Sequence, residues 1–284
     1  MNNLGGKDFL IPISPNMKVG SFIILIFIFF FVPVNAESLD KVVYRIVYNA
    51  DVKYHKESNM YHETAYLDIG DNVSYFYGLQ LKEYFNAMDS IGSEGWIGAN
   101  YKWGTPPRVS FSVIRNYPSF GKSTYCHFIH EPRIFYYEED IPQIDWQLVS
   151  GDTTLLGYQC QKAICKFRGR DWTVYYTMDV PISEGPWKLC GLPGLVLYAR
   201  ESLGEFTFSC AGIEKPENAY IEVDKRLWTK VGQKEMEEQL IKFYDNIEDW
   251  LLRAYGYGLF ADKRKTAKDN KNKIRNPCLI ESFK

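Results

Sequence analysis

The stretch LGYQCQKAICKFRGRDWTVYYTM, residues 156–178, decides the fold class of this chain. Its second half alternates between apolar and more polar positions, and the apolar positions are Trp172, Val174, Tyr176 and Met178. A period of two is typical of a strand in an antiparallel sheet with one face in water. Gly169 interrupts the stretch between Arg168 and Arg170. The pattern therefore predicts two long strands joined by a hairpin, with the two arginines beside its turn.

The same alternation recurs on both sides of this hairpin. Its apolar positions are Val42, Tyr44, Ile46 and Tyr48 in residues 41–48, and Phe206, Phe208 and Cys210 in residues 205–211. Aromatic residues make up 16% of the chain, and they favour pleated sheet surfaces over helices. Together these features predict a mainly β protein built on a single curved antiparallel sheet, half-barrel-like in form.

A different periodicity appears near the C-terminus. Apolar residues recur there at spacings of three and four, at Met236, Leu240, Phe243, Tyr244, Ile247, Trp250, Leu251 and Ala254. This is the stripe of an amphipathic helix, which we expect to pack on the sheet. Residues 263–273 are rich in Lys and Asn without apolar periodicity, so this stretch is predicted to be mobile. It opens a predicted C-terminal tail over residues 263–284.

The N-terminal 36 residues have the layout of a secretory signal peptide. An apolar run at 22–32 follows Lys18 and ends before the sequence PVNA, which closes at Ala36. A membrane-spanning helix needs about 20 apolar residues, so this run is too short to remain as an anchor. We therefore predict cleavage near Ala36, a single β-rich domain over residues 37–262, and a mature chain without a membrane span in the periplasm or outside the cell. Translation could begin at Met1 or at Met17.

Six cysteines bear on the redox environment of the chain. In an exported protein they permit up to three disulfides, and their spacing leaves the pairing open. No Cys-x-x-Cys motif occurs, which argues against a zinc ribbon or a thioredoxin-like site. The cysteines are Cys126, Cys160, Cys165, Cys190, Cys210 and Cys278.

The most distinctive segment is GPWKLCGLPGLV, residues 185–196. With it, the chain resembles the GLPGLI family of exported proteins from Gram-negative bacteria, named for the motif that stands here at residues 191–196 with Val in the last place. The resemblance extends over residues 40–280, and it implies location and architecture only, because the family has no established biochemical function. The other residues on which the resemblance rests are Asp145-Trp146, residues 157–163, residues 167–170, Tyr176-Thr177 and Pro181.

The loop over residues 185–194 has two physical interpretations. Pro193 followed by Gly194 predicts a type II turn with a positive φ at the glycine, and Gly191 is expected to let the backbone approach a neighbour closely. In the first interpretation, the loop wedges Trp187 and Leu192 against the sheet and leads into a buried strand. In the second, it forms a rigid lip over a cleft that orients an anionic or peptidic ligand. The candidate ligand-binding residues are Arg168, Arg170, Asp179, Trp187 and Pro193.

Several function classes lack support in the sequence. The formal net charge of −2 argues against a nucleic-acid partner. His127 and His130 lie in a strand-like segment on opposite faces, without the His-Glu-x-x-His pattern of a zinc protease. The only approach to a Gly-x-Ser-x-Gly nucleophile motif is GSEG at residues 92–95, which has the wrong spacing. We therefore predict no catalytic residue, no metal ligand and no cofactor.

The function favoured by these patterns is binding. We expect an exported protein that holds a small apolar or peptide ligand, or assists envelope assembly, within the curve of the sheet. A hydrolase is the alternative, using a Cys190–His127 pair or the carboxylates of residues 138–140. A purely structural envelope protein is the third. A large apolar cavity, a catalytic cleft or a filled core, respectively, would distinguish the three.

Overall fold

The structure, a computed structural model, describes residues 36–56, 58–91, 107–130, 133–245 and 277–282. These residues all fall in one compact unit. Residues 1–35 lie outside the described ranges, so the signal peptide stays a prediction. The described strands are β1 (Glu37–Lys41), β2 (Tyr44–Val52), β3 (Tyr61–Ile69), β4 (Ser74–Gly78), β5 (Phe111–Arg115), β6 (Lys122–His130), β7 (Arg133–Asp140), β8 (Gln147–Leu155), β9 (Tyr158–Phe167), β10 (Arg170–Thr177), β11 (Leu195–Glu201), β12 (Phe206–Glu214), β13 (Tyr220–Val223) and β14 (Trp228–Lys230), and the helices are α1 (Leu79–Ile91) and α2 (Gln233–Asp245).

Twelve strands form one sheet in the order β14-β7-β6-β5-β4-β3-β2-β12-β11-β10-β9-β8. Neighbours are antiparallel except β14 and β7, which run parallel. The sheet is not closed into a barrel. Its curvature brings distant strands together, because Trp172 of β10 stacks on Phe208 of β12, which meets Phe76 of β4. The predicted mainly β architecture is confirmed.

The alternating patterns define the buried face of the sheet. Ile46 and Tyr48 of β2 are fully buried, as are Val174 and Tyr176 of β10. Met178 lies beyond the end of β10 and is 52% exposed, so the pattern breaks where the strand ends. Burial of alternate residues is the expected consequence of a sheet with one face on the core.

The hairpin at Gly169 is confirmed. Phe167 of β9 pairs with Arg170 of β10, which leaves a turn of two residues. Arg168 has a φ of 51° and Gly169 a φ of 76°, so both central residues are left-handed. This is the type I′ geometry, whose twist matches that of the flanking strands.

The helix α2 packs on β6 and β7. Its buried residues Met236, Leu240 and Tyr244 belong to the predicted apolar stripe, so the helix is confirmed as far as Asp245. The rest of that prediction, together with residues 263–276 of the predicted tail, lies outside the described residues. Neither described helix is long and apolar enough to cross a membrane.

The last described residues, Pro277 to Ser282, are packed into the domain, with Cys278 and Ile280 buried. One prediction needs correction. All six cysteines are described and all are free, so the expected disulfides are absent from this structure. Cys126 is on β6, Cys160 and Cys165 share β9, and Cys210 is on β12, so no two lie on neighbouring strands. Cys160 and Cys210 still interact across the curve of the sheet, because burial together with a smaller contribution from Cys160 raises the pKa of Cys210 to about 11, but the two thiols are not bonded. Cys190 and Cys278 lie outside the strands.

Candidate functional site

The loop of residues 181–194 lies inside the curve of the sheet. Trp187 and Leu189 are fully buried, and Leu192 is nearly so. The Trp187 ring lies 5.5 Å from that of Trp172 on β10 and also 5.5 Å from that of Phe167 on β9. The first interpretation of this loop therefore holds, because it wedges its apolar side chains against the sheet.

A buried arginine on β5 holds the backbone of this loop. The Arg115 guanidinium forms an ion pair with Glu184 at 2.5 Å and donates to the carbonyl oxygen of Gly185 at 2.9 Å. It also donates to the carbonyl oxygen of Trp187. Ser74 of β4 donates to the same Glu184 carboxylate at 3.0 Å. These bonds satisfy carbonyl groups that no strand partner could reach within the core.

The two glycines of the motif have roles other than the predicted ones. Gly194 does not have a positive φ, so the type II turn prediction is wrong. The residue must be glycine because a Cβ there would lie 2.0 Å from the carbonyl oxygen of Thr177. Gly191 instead has the positive φ, at 94°. The sequence pattern located the constrained positions, but packing against β10 determines which constraint applies to each.

The loop also carries a buried cation that the sequence analysis missed. The Lys188 side chain is 1% exposed, and its ammonium lies 2.5 Å from Glu139 and 2.7 Å from Glu281. It donates to the hydroxyl of Tyr137 at 2.6 Å and lies 4.5 Å from the centre of the Tyr125 ring. A lysine inside an otherwise apolar loop was the available signal, because a buried charge requires partners.

One of these partners comes from the end of the chain. We call Pro277–Ser282 the C-terminal segment. It enters through a β-bridge between Pro277 and His55, and the amide of Cys278 donates to the carbonyl oxygen of Tyr54 at 2.7 Å. At its other end, the amide of Ser282 donates to the carbonyl oxygen of Arg168 at 3.0 Å. The segment is therefore held by backbone bonds at both ends.

Three of the five predicted site residues contact this segment. Arg170 donates to the carbonyl oxygen of Leu279 at 2.8 Å, and the indole of Trp187 donates to the Glu281 carboxylate at 3.2 Å. Arg168 binds the segment through its backbone and pairs with Glu139 through its side chain. We call the surface formed by Tyr54, Tyr137, Arg168, Arg170, Trp187 and Lys188 the C-terminal groove.

The other two predicted residues take no part in these contacts. Asp179 accepts a hydrogen bond from the backbone amide of Gln159 at 3.3 Å, close to the β8–β9 turn. Pro193 is exposed, next to the buried Gly194. The structure thus brings together the arginines and Trp187, and gives Asp179 and Pro193 other surroundings. A ligand-binding role for the five residues stays a prediction.

A small cavity borders the C-terminal segment. Its volume of about 20 Å³ is enough for one water molecule. His127 lines it, with Nε2 3.0 Å from the hydroxyl of Ser110 and 3.2 Å from that of Tyr244, and Nδ1 3.0 Å from that of Tyr125. Burial lowers the pKa of His127 to about 3, so the imidazole is neutral in the folded protein at ordinary pH. It links the sheet to α2 through hydroxyl groups.

This neutral histidine makes the fold sensitive to acid. Because the folded-state pKa of about 3 lies below the unfolded value of 6.5, the unfolded chain binds a proton first as the pH falls. The free energy of unfolding should then drop by about 1.4 kcal/mol per pH unit from this residue, starting near pH 6.5. Urea unfolding between pH 7 and 4.5 measures the slope. The His127→Gln variant should have a shallower slope than the parent, and equal slopes would contradict the assignment.

The arrangement gives no support to a cysteine or carboxylate hydrolase. Burial raises the pKa of Cys190 and raises that of Cys278 to about 12, so these thiols are protonated at neutral pH. His127 bonds to hydroxyl groups rather than to Cys190. The acidic residues 138–140 each pair with a lysine, Glu138 with Lys230, Glu139 with Lys188 and Asp140 with Lys122. These thiols, His127 and the carboxylates of residues 138–140 therefore do not form a hydrolase arrangement in the part of the chain that the structure describes.

Comparisons with known proteins add a family and a distant structural likeness. Residues 168–198 match the family described as Porph_ging, a protein of unknown function, which is consistent with the resemblance to the GLPGLI family. No curated protein matches the chain. Two structures of PNGF-II, in different space groups, are similar at 16% identity with TM-scores of 0.47 and 0.46. The matches cover 70% of this chain but only 33% and 32% of theirs, and a likeness this distant carries no argument about function.

Proposed function

We propose that this chain, which carries the Porph_ging segment, is an exported, non-catalytic protein that holds an extended peptide of a partner in its C-terminal groove. The observation that supports this is the docking of residues 277–282 of the chain itself, between the β9–β10 turn and the loop of residues 181–194. The groove therefore holds an extended segment, and in this structure that segment is residues 277–282 of the same chain.

The contacts divide as they do in peptide-binding proteins. Backbone groups of Tyr54 and Arg168 pair with backbone groups of the segment, which gives affinity independent of sequence. Side chains then read particular positions, since Lys188 and Trp187 both contact Glu281. This combination of backbone pairing and side-chain pockets favours a peptide over a small apolar ligand.

The packing inside the curve of the sheet is also consistent with a peptide ligand. Trp187, Leu189 and Leu192 fill the curve, and the cavity beside the segment holds about one water molecule. Binding sites for small molecules commonly have volumes of about 300–1,000 Å³. The cavity left beside the segment is far below that range, so this cavity does not hold a small-molecule ligand while the segment is in place.

Competition for the groove would exchange one set of contacts for another. The segment is held by backbone bonds to Tyr54 and Arg168 and by the ion pair of Glu281 with Lys188. A partner peptide of similar chemistry could compete with it for these groups.

The proposed location is the periplasm or the exterior, reached through the signal peptide. Burial raises the pKa of Cys165 to about 12 and that of Cys210 to about 11, so their thiols are largely protonated and resist oxidation there. N-terminal sequencing of protein recovered from the periplasmic fraction should begin at Glu37. A chain that retains residues 1–36 would contradict export by this route.

Exchange of the segment tests the groove directly. A specific protease site is inserted into residues 263–273 of the full chain, and the folded protein is cut there. We expect native mass spectrometry to find the C-terminal fragment still bound, and a labelled peptide of residues 275–284 to replace it over time. A scrambled peptide of the same composition is the control.

Two results would overturn the proposal. If the cut protein unfolds, the segment is an obligatory part of the core and the third class, a structural envelope protein, is favoured. If the fragment stays bound and neither labelled peptide ever enters, the groove does not exchange its occupant and is not a binding site.

A further inference from the structure

We infer that the C-terminal groove selects extended peptides in which a glutamate follows an apolar residue. The inference rests on the proposed function and names the class of peptide that the groove takes. It is argued from the side-chain environments of Ile280 and Glu281, which differ sharply although the two residues are adjacent.

The acidic position is the most strongly specified. Glu281 is 5% exposed and meets three donors: the ammonium of Lys188 at 2.7 Å, the hydroxyl of Tyr137 at 2.5 Å and the indole of Trp187 at 3.2 Å. The neighbouring Glu139 is shared between Lys188 and Arg168. Without Glu281, the Lys188 ammonium, the Tyr137 hydroxyl and the Trp187 indole would each lose an acceptor, so this end of the groove favours a carboxylate.

The position after the acid is held through its backbone and its hydroxyl. The Ser282 amide bonds to the carbonyl oxygen of Arg168, and its hydroxyl donates to Glu237 at 3.2 Å. Its close neighbour Gly169 has to remain glycine, because an added Cβ there would come within 3.0 Å of the Cβ of Ser282. Ser282 itself is only partly buried, so its contacts do not specify the size of the side chain.

The positions before the acid are read as apolar. Ile280 and Cys278 are 3% and 4% exposed and belong to the main hydrophobic core. Leu279 between them is only partly buried, and Arg170 reads its carbonyl oxygen instead of its side chain. The pattern is therefore a buried apolar residue, a partly buried one, a second buried apolar residue and glutamate.

The test uses the full chain cut after folding and four labelled peptides of residues 275–284. They are the parent sequence, Glu281→Gln, Ile280→Thr, and Leu279→Met as a matched control at the partly buried position. We measure the affinity of each by competition with the bound fragment. Glu281→Gln should weaken binding about 10-fold or more because it removes a charge-assisted contact, and Ile280→Thr should weaken it similarly because it places a hydroxyl group in the apolar core. Leu279→Met should stay within about 3-fold of the parent.

The results separate this inference from the proposed function. If the parent peptide enters but all four peptides bind alike, the groove holds peptides without this selectivity, and only the inference fails. If the Leu279→Met control weakens binding as much as the other two, the reading of positions is wrong. If no peptide enters, the proposed function fails and the inference fails with it.

Discussion

Replacing Lys188 with methionine should destabilise the folded protein by about 3–5 kcal/mol. The substitution keeps most of the side-chain volume but leaves the carboxylates of Glu139 and Glu281 buried, with Arg168 as the remaining charged partner. An uncompensated buried charge is costly because the core cannot solvate it. Urea unfolding at pH 7 measures the loss, which should appear as a lower midpoint with a similar slope.

Two companion variants make this result specific. Lys166→Met removes a lysine whose side chain is 90% exposed, and it should leave stability within about 0.5 kcal/mol of the parent. The double variant Lys188→Met with Glu281→Gln should recover part of the loss, because it removes one of the two stranded charges. If Lys188→Met unfolds like Lys166→Met, the buried ion cluster does not exist in solution.

Replacing Gly194 with alanine should cost about 3 kcal/mol or more. The new Cβ would lie 2.0 Å from the carbonyl oxygen of Thr177 and 3.1 Å from the Cα of Met178. Both contacts are with backbone at the end of β10, so no flexible side chain can move aside. The loop would have to withdraw from the sheet, and Trp187 and Leu192 would lose their packing.

The control for this prediction is Gly212→Ala on β12. Gly212 has no atom within 4 Å of the position of an added Cβ, and its φ is not positive. Thermal unfolding of the two variants should therefore differ clearly, with Gly212→Ala close to the parent. Similar melting of both would show that the loop does not approach Thr177 closely.

The local patterns predicted much of the architecture. The alternation around Gly169 was enough to place the β9–β10 hairpin, because a turn of two residues with positive φ depends only on its own residues and the twist of its strands. The helix stripe at Met236, Leu240 and Tyr244 was equally readable. Such features depend on residues close in sequence, whose relative positions backbone geometry determines.

The sequence was less informative about the candidate site. From the sequence, Arg168, Arg170 and Trp187 were identified as candidate site residues. They were expected to border a cleft together with Asp179 and Pro193, and Lys188 was not identified. The partners that give these residues their roles are remote in sequence, since Glu281 lies 94 residues from Trp187. No local pattern encodes a contact of that separation.

The sequence by itself therefore determined the strand periodicity, the hairpin, the C-terminal helix and the positions where glycine is required. Only the tertiary structure decided that the loop of residues 181–194 fills the curve of the sheet and that Gly194 rather than Gly191 meets a neighbouring backbone. It also decided that the cysteines form no disulfide, and that the C-terminal segment supplies a carboxylate for Lys188. The physical reason is that periodicity and turn geometry act between near neighbours, whereas the pairing of buried charges and close backbone approach depend on which distant residues the curved sheet brings together.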